Sequence, residues 1–488
     1  MKITDAVQNR KKRPVSLAQF GEGNFLRGFL DYMVDIANDK GLTNIGVAVV
    51  NPIPASLDVF RQQEGLYNVL LRGKMNGAIT EETRLVSCLE EFVNCYDEFD
   101  SFLELARGED LRFIVSNTTE AGIVYDETDK PDLRPPNTYP GKLTVFLYER
   151  YKAFSGDAGK GLYILPAELI EKNGRKLEEC VMRLCELWQM PEGFVKWLRE
   201  SCYFCNTLVD RIITGYPKDD AAQICGKLGY EDKLLVSGEP FALYVIECSD
   251  VEKLQRELPL DAAGLPVVFT TDYTPYRERK VRILNGAHTS TIMAAYLAGY
   301  DIVSEYMADD VMRKFSADLI DKEVIPNIQL SAKELRDFAD AVVERFENPF
   351  IKHRLMDISL NSTSKWRARV LPSLLDDFKR TGKLPVRLTF SFAAMLVFYR
   401  GGSIQGKVMA TKNFGREYNI SDDMFAMEAF AENSVKPIGE YVRAISVNKE
   451  IWGRDLTELE GFVRIVTESI ENMDKLGIKG AMEELRNV

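Results

Sequence analysis

The sequence predicts an α/β protein with two domains: an N-terminal Rossmann-type, doubly wound sheet domain at residues 1–275 and a mostly α-helical C-terminal domain at residues 276–488. Apolar strand patterns alternate with amphipathic helix patterns from residue 14 to residue 188, which is the rhythm of a parallel sheet. A glycine-rich turn joins the first strand to the first helix, as in dinucleotide-binding domains. Strand patterns become rare beyond about residue 275, so the second domain is expected to be helical.

The first 50 residues predict one βαβ unit. Residues 14–20 form a buried strand, residues 21–23 a tight turn, residues 25–40 a helix that Gly41 ends, and residues 45–50 a second strand. One face of the helix carries apolar residues at helical spacing: Leu26, Phe29, Leu30, Met33 and Ile36 or Ala37. This unit repeats in doubly wound parallel sheets.

The remaining elements follow in chain order. A hairpin is predicted from two strand patterns at residues 67–71 and 83–88. Helices and strands then alternate: a helix at 99–106, a strand at 111–116, a helix at 143–151, a strand at 162–166 and a helix at 175–188. In the second domain, long amphipathic patterns predict helices at 332–346, 425–447 and 456–487.

Charge and histidine content exclude several classes of function. The formal net charge of −12 argues against broad binding to nucleic acid or anionic membranes, which need a basic surface. The chain contains only two histidines, His288 and His353, so a three-histidine metal site cannot be built within it. Cys202 and Cys205 have the spacing of a metal or redox pair, but no second pair accompanies them, and we interpret them as core cysteines. No metal is therefore expected.

The termini and apolar runs predict a cytoplasmic protein. Residues 1–13 are basic and polar and lack the apolar core of a signal peptide. The longest apolar run, residues 390–399, is about half of what a membrane span needs, so it predicts a buried helix. Cysteines without a regular framework spacing agree with a reducing compartment.

The first candidate site is the glycine-rich turn. Glycines let the backbone approach a pyrophosphate, and the amides at the start of the following helix face it. The predicted cofactor-binding residues are Phe20, Gly21, Glu22, Gly23, Asn24, Phe25, Leu26 and Arg27. The usual fingerprint has a third glycine where this chain has Leu26, so a simple strand-to-helix turn is the alternative.

Further cofactor contacts are expected at the carboxyl ends of other strands. Asn51 ends the second strand, where an acidic residue normally binds the ribose diol, and no arginine follows until Arg61. This favours NAD over NADP. Thr118 and Thr119 follow the strand at 111–116 and are also predicted to face the cofactor.

The second candidate site is a helix predicted at residues 275–298. At ~100° per residue, Lys280, His288 and Asn285 lie at about 0°, 80° and 140° of the helix circumference, on one arc. A lysine whose pKa is lowered by burial and neighbouring arginines can donate a proton to a ketone that receives a hydride, and neutral donors can stabilise the oxyanion. The alternative is a solvated basic helix face with His288 packed in the core.

The motifs of both sites resemble the long-chain, metal-independent polyol dehydrogenase family, which includes mannitol 2-dehydrogenase. The family motif Lys-x4-Asn-x2-His is matched by Lys280, Asn285 and His288. The N-terminal motif Gly-x-Gly-x-Phe-x-Arg is matched at residues 21–27, and the resemblance extends along essentially the whole chain.

The resemblance implies an NAD-binding domain, a helical substrate domain and a cleft active site between them, without metal. It implies that Lys280 is the general acid/base, Asn285 an oxyanion donor and His288 a group that orients substrate. By the same match, the substrate pocket would be lined by Asn206, Asp210 and Lys365.

Within the family, three stretches most resemble the members that act on hexuronates: residues 19–29, 205–211 and 359–365. This implies interconversion of D-tagaturonate and D-altronate in hexuronate catabolism. The alternatives are oxidoreduction of mannonate and fructuronate or of mannitol, and, outside enzymology, a cofactor-binding regulatory protein.

The sequence differs from the mannitol enzymes at two sites, so the second oxyanion donor and the contact to the substrate carboxylate have several candidates. Those enzymes carry Asp-Asn where this chain has Glu168-Leu169, so the second oxyanion donor could be Asn206 or a backbone amide. They also carry an arginine where this chain has Asp357. The carboxylate of a uronate must then be met elsewhere, and the candidates are Lys352, Arg354, Lys365 and Arg367.

Overall fold

The computed structural model describes residues 1–7, 10–119 and 121–485, which form two compact units. The first unit consists of Met1–Gly73 and Ile79–Tyr273. The second consists of Lys74–Ala78 and the chain from Thr274 onward. The division at Tyr273 lies close to the predicted domain boundary at residue 275, and only the short segment Lys74–Ala78 departs from a sequential division.

The first unit contains thirteen strands and ten α-helices among its described residues. In chain order, the strands are β1 (Val15–Phe20), β2 (Gly46–Asn51), β3 (Tyr67–Met75), β4 (Ala78–Val86), β5 (Leu89–Asn94), β6 (Phe113–Ser116), β7 (Tyr163–Pro166), β8 (Tyr203–Phe204), β9 (Asn206–Asp210), β10 (Ile213–Gly215), β11 (Val236–Gly238), β12 (Leu243–Glu247) and β13 (Val267–Thr270). The helices are α1 (Ile3–Ala6), α2 (Asn24–Leu26), α3 (Tyr32–Asp39), α4 (Asp58–Gln62), α5 (Phe99–Ala106), α6 (Tyr139–Ala153), α7 (Asn173–Leu187), α8 (Glu192–Ser201), α9 (Ala221–Leu228) and α10 (Val251–Glu257).

The main sheet of this unit is parallel, with the strand order β5-β2-β1-β6-β7-β8. The order reverses between β1 and β6, which makes the sheet doubly wound and confirms the predicted Rossmann-type fold. All six residues of β2 are buried, as expected for a strand covered on both faces. Two apolar cores flank the sheet, one built around Phe29 and Leu30 and the other around Phe102 and Phe146.

Two smaller sheets complete the first unit. The predicted hairpin is confirmed as β3 and β4, which belong to a four-stranded sheet of order β10-β11-β3-β4. The other sheet, β13-β12-β9, has three strands. The short strands from β8 onward have two to five residues each, too few for a clear alternating pattern, which is why the sequence did not predict them.

The second unit is mostly helical, as predicted. Its helices are α11 (Thr274–Arg279), α12 (Gly286–Leu297), α13 (Val303–Met307), α14 (Asp310–Leu319), α15 (Ala332–Phe346), α16 (Leu355–Ile358), α17 (Ser362–Arg369), α18 (Leu371–Thr381), α19 (Val386–Tyr399), α20 (Met424–Asn433), α21 (Ile438–Ser446), α22 (Lys449–Trp452) and α23 (Phe462–Glu484). A small antiparallel sheet contains β14 (Ser403–Gln405), β15 (Val408–Asn413) and β16 (Arg416–Ile420).

Three sequence predictions in this unit can be compared with the structure. The apolar run at 390–399 lies in α19, which is buried around nearly its whole circumference, so the buried helix is confirmed. The helix predicted at 425–447 is two helices, α20 and α21, because Pro437 begins the second. The last helix has a non-helical residue at Gly477, and its predicted end at Asn487 lies outside the described residues. Among the described helices, none is long and apolar enough to cross a membrane.

Candidate active site

The turn after β1 requires glycine at its first position. Gly21 has a φ of +122°, and a Cβ atom there would lie 3.2 Å from the carbonyl oxygen of Asn117. The amide of Gly21 donates to the carbonyl of Val50 at the end of β2 (3.0 Å). Backbone from three neighbouring strands therefore meets closely here, and a side chain would separate it.

Gly23 lies in open space at the start of the next helix. It precedes the helix formed by α2, a π-helical turn at Arg27–Asp31 and α3, and a Cβ atom at this position would meet nothing within 4 Å. No described side chain caps this helix. Its first backbone amides therefore point into open space at the carboxyl edge of the sheet, an arrangement that fits an anionic pyrophosphate.

The side chains of this motif mainly stabilise the turn. Phe20 packs on the aromatic rings of the core and Leu26 is buried, so both face away from a ligand. Arg27 donates to the carbonyls of Glu22 (3.2 Å) and Leu234 and to Oδ1 of Asn24 (2.6 Å). Burial lowers the pKa of Arg27. We infer that this guanidinium holds the turn in shape. The remaining member, Phe25, stacks on Phe29.

Asn51 is fully buried and organises the loop after β2. Its Nδ2 donates to the carbonyl of Ala55 (3.0 Å), and its Oδ1 accepts from the amide of Ile53 (3.2 Å). Both ends of the carboxamide are thus engaged once, and one amide hydrogen and one oxygen lone pair remain for a further hydrogen bond. Arg61 pairs with Glu98 (2.6 Å), so its charge is already compensated.

Thr118 and Thr119 lie directly after β6. The amide and hydroxyl of Thr118 both donate to Oε1 of Glu168 (2.9 Å each), whose other oxygen accepts from Ser116 (3.1 Å). Glu168, which stands where the mannitol enzymes carry an aspartate, therefore bridges the ends of β6 and β7. Burial raises the pKa of this carboxyl. Thr119 is exposed and has a positive φ of 73°, which turns the chain at the sheet edge.

The predicted substrate residues of the first unit lie on β9. Nδ2 of Asn206 donates to Glu247 on β12 (2.7 Å), and its Oδ1 accepts from the amide of Arg175 (3.0 Å). The second hydrogen of Nδ2 remains for an oxyanion role of Asn206. Asp210 ends β9 and is buried opposite Leu243. Glu247 could not be predicted from the sequence, since its contact with Asn206 depends on strand pairing.

The predicted helix at 275–298 is confirmed over residues 274–297, with one feature that periodicity cannot predict. Between α11 and α12 the segment Lys280–Asn285 is π-helical. A π turn bonds residue i to residue i+5, so side chains five positions apart come onto adjacent turns of one face. Lys280 and Asn285 are five apart, whereas a regular α-helix would place them about 140° apart. The π turn therefore places these two residues closer to one face of the helix than a regular α-helix would.

The three predicted catalytic residues differ in exposure. Lys280 and His288 are buried with about a tenth of their surface exposed (9% each), and Asn285 is half-buried. The backbone carbonyl of Asn285 accepts from Thr289 (2.9 Å), while its carboxamide bonds to no other described residue. That carboxamide is therefore available to a substrate.

His288 lies in a cluster of rings and cations. Its ring centroid is 3.9 Å from that of Phe346 and 5.2 Å from that of His353. Burial lowers its pKa well below the usual range, and the charges of His353, Arg345 and Arg369 lower it further. Nδ1 of His288 is buried without a hydrogen-bond partner in the described chain. The imidazole is therefore neutral near pH 7 and able to accept or donate one hydrogen bond.

The remaining predicted substrate residue, Lys365, lies on α17, which packs against the π turn and α12. Its Nζ donates to the carbonyl of Ile358 (3.0 Å), and burial lowers its pKa, with a further contribution from Arg369. The other carboxylate candidates are less suited to a shielded ligand site. Lys352, Arg354 and Arg367 are all exposed.

The described residues contain no group of three or more His, Cys, Asp or Glu side chains that could hold a metal ion. Cys202 and Cys205 are free and buried, in agreement with core cysteines. Burial raises the pKa of Cys202 to about 12, which keeps it a thiol.

Comparison with known proteins gives matches along nearly the whole chain. The family profile of the mannitol dehydrogenase Rossmann domain matches residues 16–260, and that of the mannitol dehydrogenase C-terminal domain matches residues 272–474. The altronate oxidoreductase of Yersinia enterocolitica (serotype O:8 / biotype 1B) is 41% identical over 483 residues, 97% of each chain. That of Escherichia coli O7:K1 is 42% identical over 480 residues, again 97% of each chain.

Two solved structures share the fold at low identity. A D-sorbitol dehydrogenase in substrate-free form has a TM-score of 0.79 at 20% identity and covers 96% of this chain and 95% of its own. The mannitol 2-dehydrogenase of Pseudomonas fluorescens, in a ternary complex with NAD and D-mannitol, has a TM-score of 0.67 at 20% identity, with coverages of 98% and 95%. Both agree with a Rossmann-type unit followed by a helical one.

Proposed function

Since this chain belongs to the mannitol dehydrogenase family, we propose that it is an NAD-dependent oxidoreductase that interconverts D-tagaturonate and D-altronate without a metal ion. One observation carries the proposal: altronate oxidoreductases match the chain at 41–42% identity over 97% of both sequences. The substrate is a small sugar acid. We further propose that the enzyme works in the cytoplasm, since its eight cysteines are all free thiols.

The first unit supplies a site that fits NAD. The close backbone approach at Gly21 and the open space at Gly23, at the start of a helix, suit a pyrophosphate. When bound, the cofactor supplies or removes the hydride. Arg27 stabilises the conformation of the turn through its hydrogen bonds to Glu22 and Asn24. The exposed backbone beyond Thr118 lies at the same edge of the sheet.

The second unit supplies the groups that donate a proton and hydrogen bonds to the reacting oxygen. A ketone that gains a hydride becomes an alkoxide and needs a proton. We assign this proton to Nζ of Lys280, which is buried. The carboxamide of Asn285, next to Lys280 across the π turn, would donate to the developing oxyanion. Neutral His288 would orient a substrate hydroxyl.

A substrate panel tests the proposal. NADH oxidation by enzyme dialysed against a chelator should be much faster with D-tagaturonate than with D-fructuronate or D-fructose, and much faster with NADH than with NADPH. Preference for fructuronate or fructose would assign the chain to another activity of the family. Activity lost on dialysis and restored by a divalent metal would contradict the metal-free mechanism.

A further inference from the structure

Arg369, the last residue of α17, is a cation with no counter-ion among the described residues. It is half-buried, burial lowers its pKa, and its guanidinium makes no hydrogen bond or ion pair to another described residue. Two other buried arginines are compensated by oxygen partners, and a third, Arg279, lies over the ring of Phe338 (4.4 Å to the centroid). Arg387 pairs with Glu323 (3.2 Å) and Asp318 (3.1 Å), and Arg211 donates to three backbone carbonyls. A desolvated guanidinium that lacks such partners is costly unless an anion joins it.

The backbone places Arg369 beside the proposed catalytic helix. A Cβ atom at Gly286 would lie 3.1 Å from the carbonyl oxygen of Arg369, so the end of α17 touches the helix between Asn285 and His288. The charge of Arg369 contributes to the lowered pKa of both His288 and Lys365, so its guanidinium lies near both groups.

Lys365 adds a second positive charge one helical turn before Arg369. Of its three N–H donors, one is used by the carbonyl of Ile358, which leaves two for a ligand. The charge of the nearby Asp422 acts to raise the pKa of Lys365, but the oxygens of this acid accept from Thr363 (2.8 and 2.9 Å) and Tyr399 (2.5 Å), and no ion pair joins it to either cation in the described chain. Two cations four residues apart on one helix thus lie next to the catalytic groups without a described carboxylate bound between them.

We propose that Arg369, assisted by Lys365, binds the carboxylate of the ketouronate and thereby sets the preference for sugar acids over neutral ketoses. The inference rests on the proposed function. A guanidinium can bind a carboxylate through two parallel hydrogen bonds, which a neutral hydroxymethyl group cannot reproduce. Asp357 stands where the mannitol enzymes carry an arginine, and Arg369 would supply the missing cation from the other side of Lys365 on the same helix.

The test is the variant Arg369→Ala, assayed with D-tagaturonate and with D-tagatose, the neutral ketose that carries a hydroxymethyl group in place of the carboxylate. We expect kcat/KM for D-tagaturonate to fall about 100-fold, mainly through KM, because a shielded charge pair is lost. Activity with D-tagatose should change less than threefold, and added guanidinium ion should restore part of the activity with D-tagaturonate. The matched control, Arg443→Ala, removes an exposed arginine on α21.

The outcomes separate this inference from the proposed function. If the unaltered enzyme fails to reduce D-tagaturonate, the proposed function is wrong. If the unaltered enzyme reduces it and Arg369→Ala keeps kcat/KM within threefold, the carboxylate assignment is wrong. An equal loss with both substrates and no rescue would mark Arg369 as structural. Should the alanine variant not fold, Arg369→Lys, which keeps the charge but not the two parallel bonds, must still raise KM for D-tagaturonate selectively.

Discussion

At the scale of single residues, the sequence was most informative where chemistry and spacing coincide. Lys280, Asn285 and His288 could be proposed from their spacing on one helix, and Gly21 and Gly23 from their place between a strand and a helix. Arg369 could not, because α17 is polar around its circumference and shows no apolar stripe that fixes which face is buried. Its lack of a partner becomes visible only when the surrounding side chains are placed.

The state of His288 gives a prediction on pH dependence. Since its folded-state pKa lies well below 6.5, the ring is already neutral at pH 6 and does not change charge between pH 6 and pH 8. We expect His288→Asn to lower kcat/KM about 100-fold through misplacement of the substrate. The ratio of variant to unaltered kcat/KM should stay constant across this range.

Parallel kcat/KM profiles of the two proteins with D-tagaturonate and NADH measure this ratio. NADH affinity serves as the control for folding. A ratio that changes tenfold between pH 6 and pH 8 would mean that His288 titrates during catalysis.

At the scale of elements, helices with apolar stripes were predicted well and irregular elements were not. The residue ranges of α5 and α15 agree with the prediction at both ends. The π turn at Lys280–Asn285 was missed, because a local change of hydrogen-bond register leaves no periodic signature over six residues. The hydrogen bond from Asn206 to Glu247 could not be predicted either, since it depends on the antiparallel pairing of β9 with β12.

The contact between Gly286 and α17 gives a prediction on packing. Gly286→Ala places a methyl group 3.1 Å from the carbonyl oxygen of Arg369, closer than most such contacts, so α17 must move. We expect a loss of about 1–3 kcal/mol in unfolding free energy and a raised KM for D-tagaturonate. Thermal unfolding and steady-state kinetics measure the two effects.

Gly439→Ala is the matched control, because its nearest neighbouring atom would be 3.9 Å from the new methyl group. It should leave KM unchanged and raise stability by up to about 1 kcal/mol. Equal behaviour of the two variants would contradict the close approach of α17 to the catalytic helix.

At the scale of the whole molecule, the two units carry different groups for the proposed reaction. The first carries the turn that fits a dinucleotide, and the second carries the proposed proton donor and the proposed carboxylate-binding cations. The alternation of strands and helices and the later helical patterns were enough to predict the fold class, a Rossmann-type sheet followed by a mostly helical part. The segment Lys74–Ala78, which clusters with the second unit, was not predictable, since its grouping depends on tertiary contacts.

The turnover of Lys280→Ala tests whether Lys280 is the general acid/base. We expect this variant to reduce D-tagaturonate about 1000-fold more slowly, because the proposed proton donor is missing, and to bind NADH as the unaltered enzyme does. Lys333→Ala, which removes an exposed lysine of α15, should have no effect. Near-normal turnover by Lys280→Ala would contradict the assignment of Lys280 as the general acid/base.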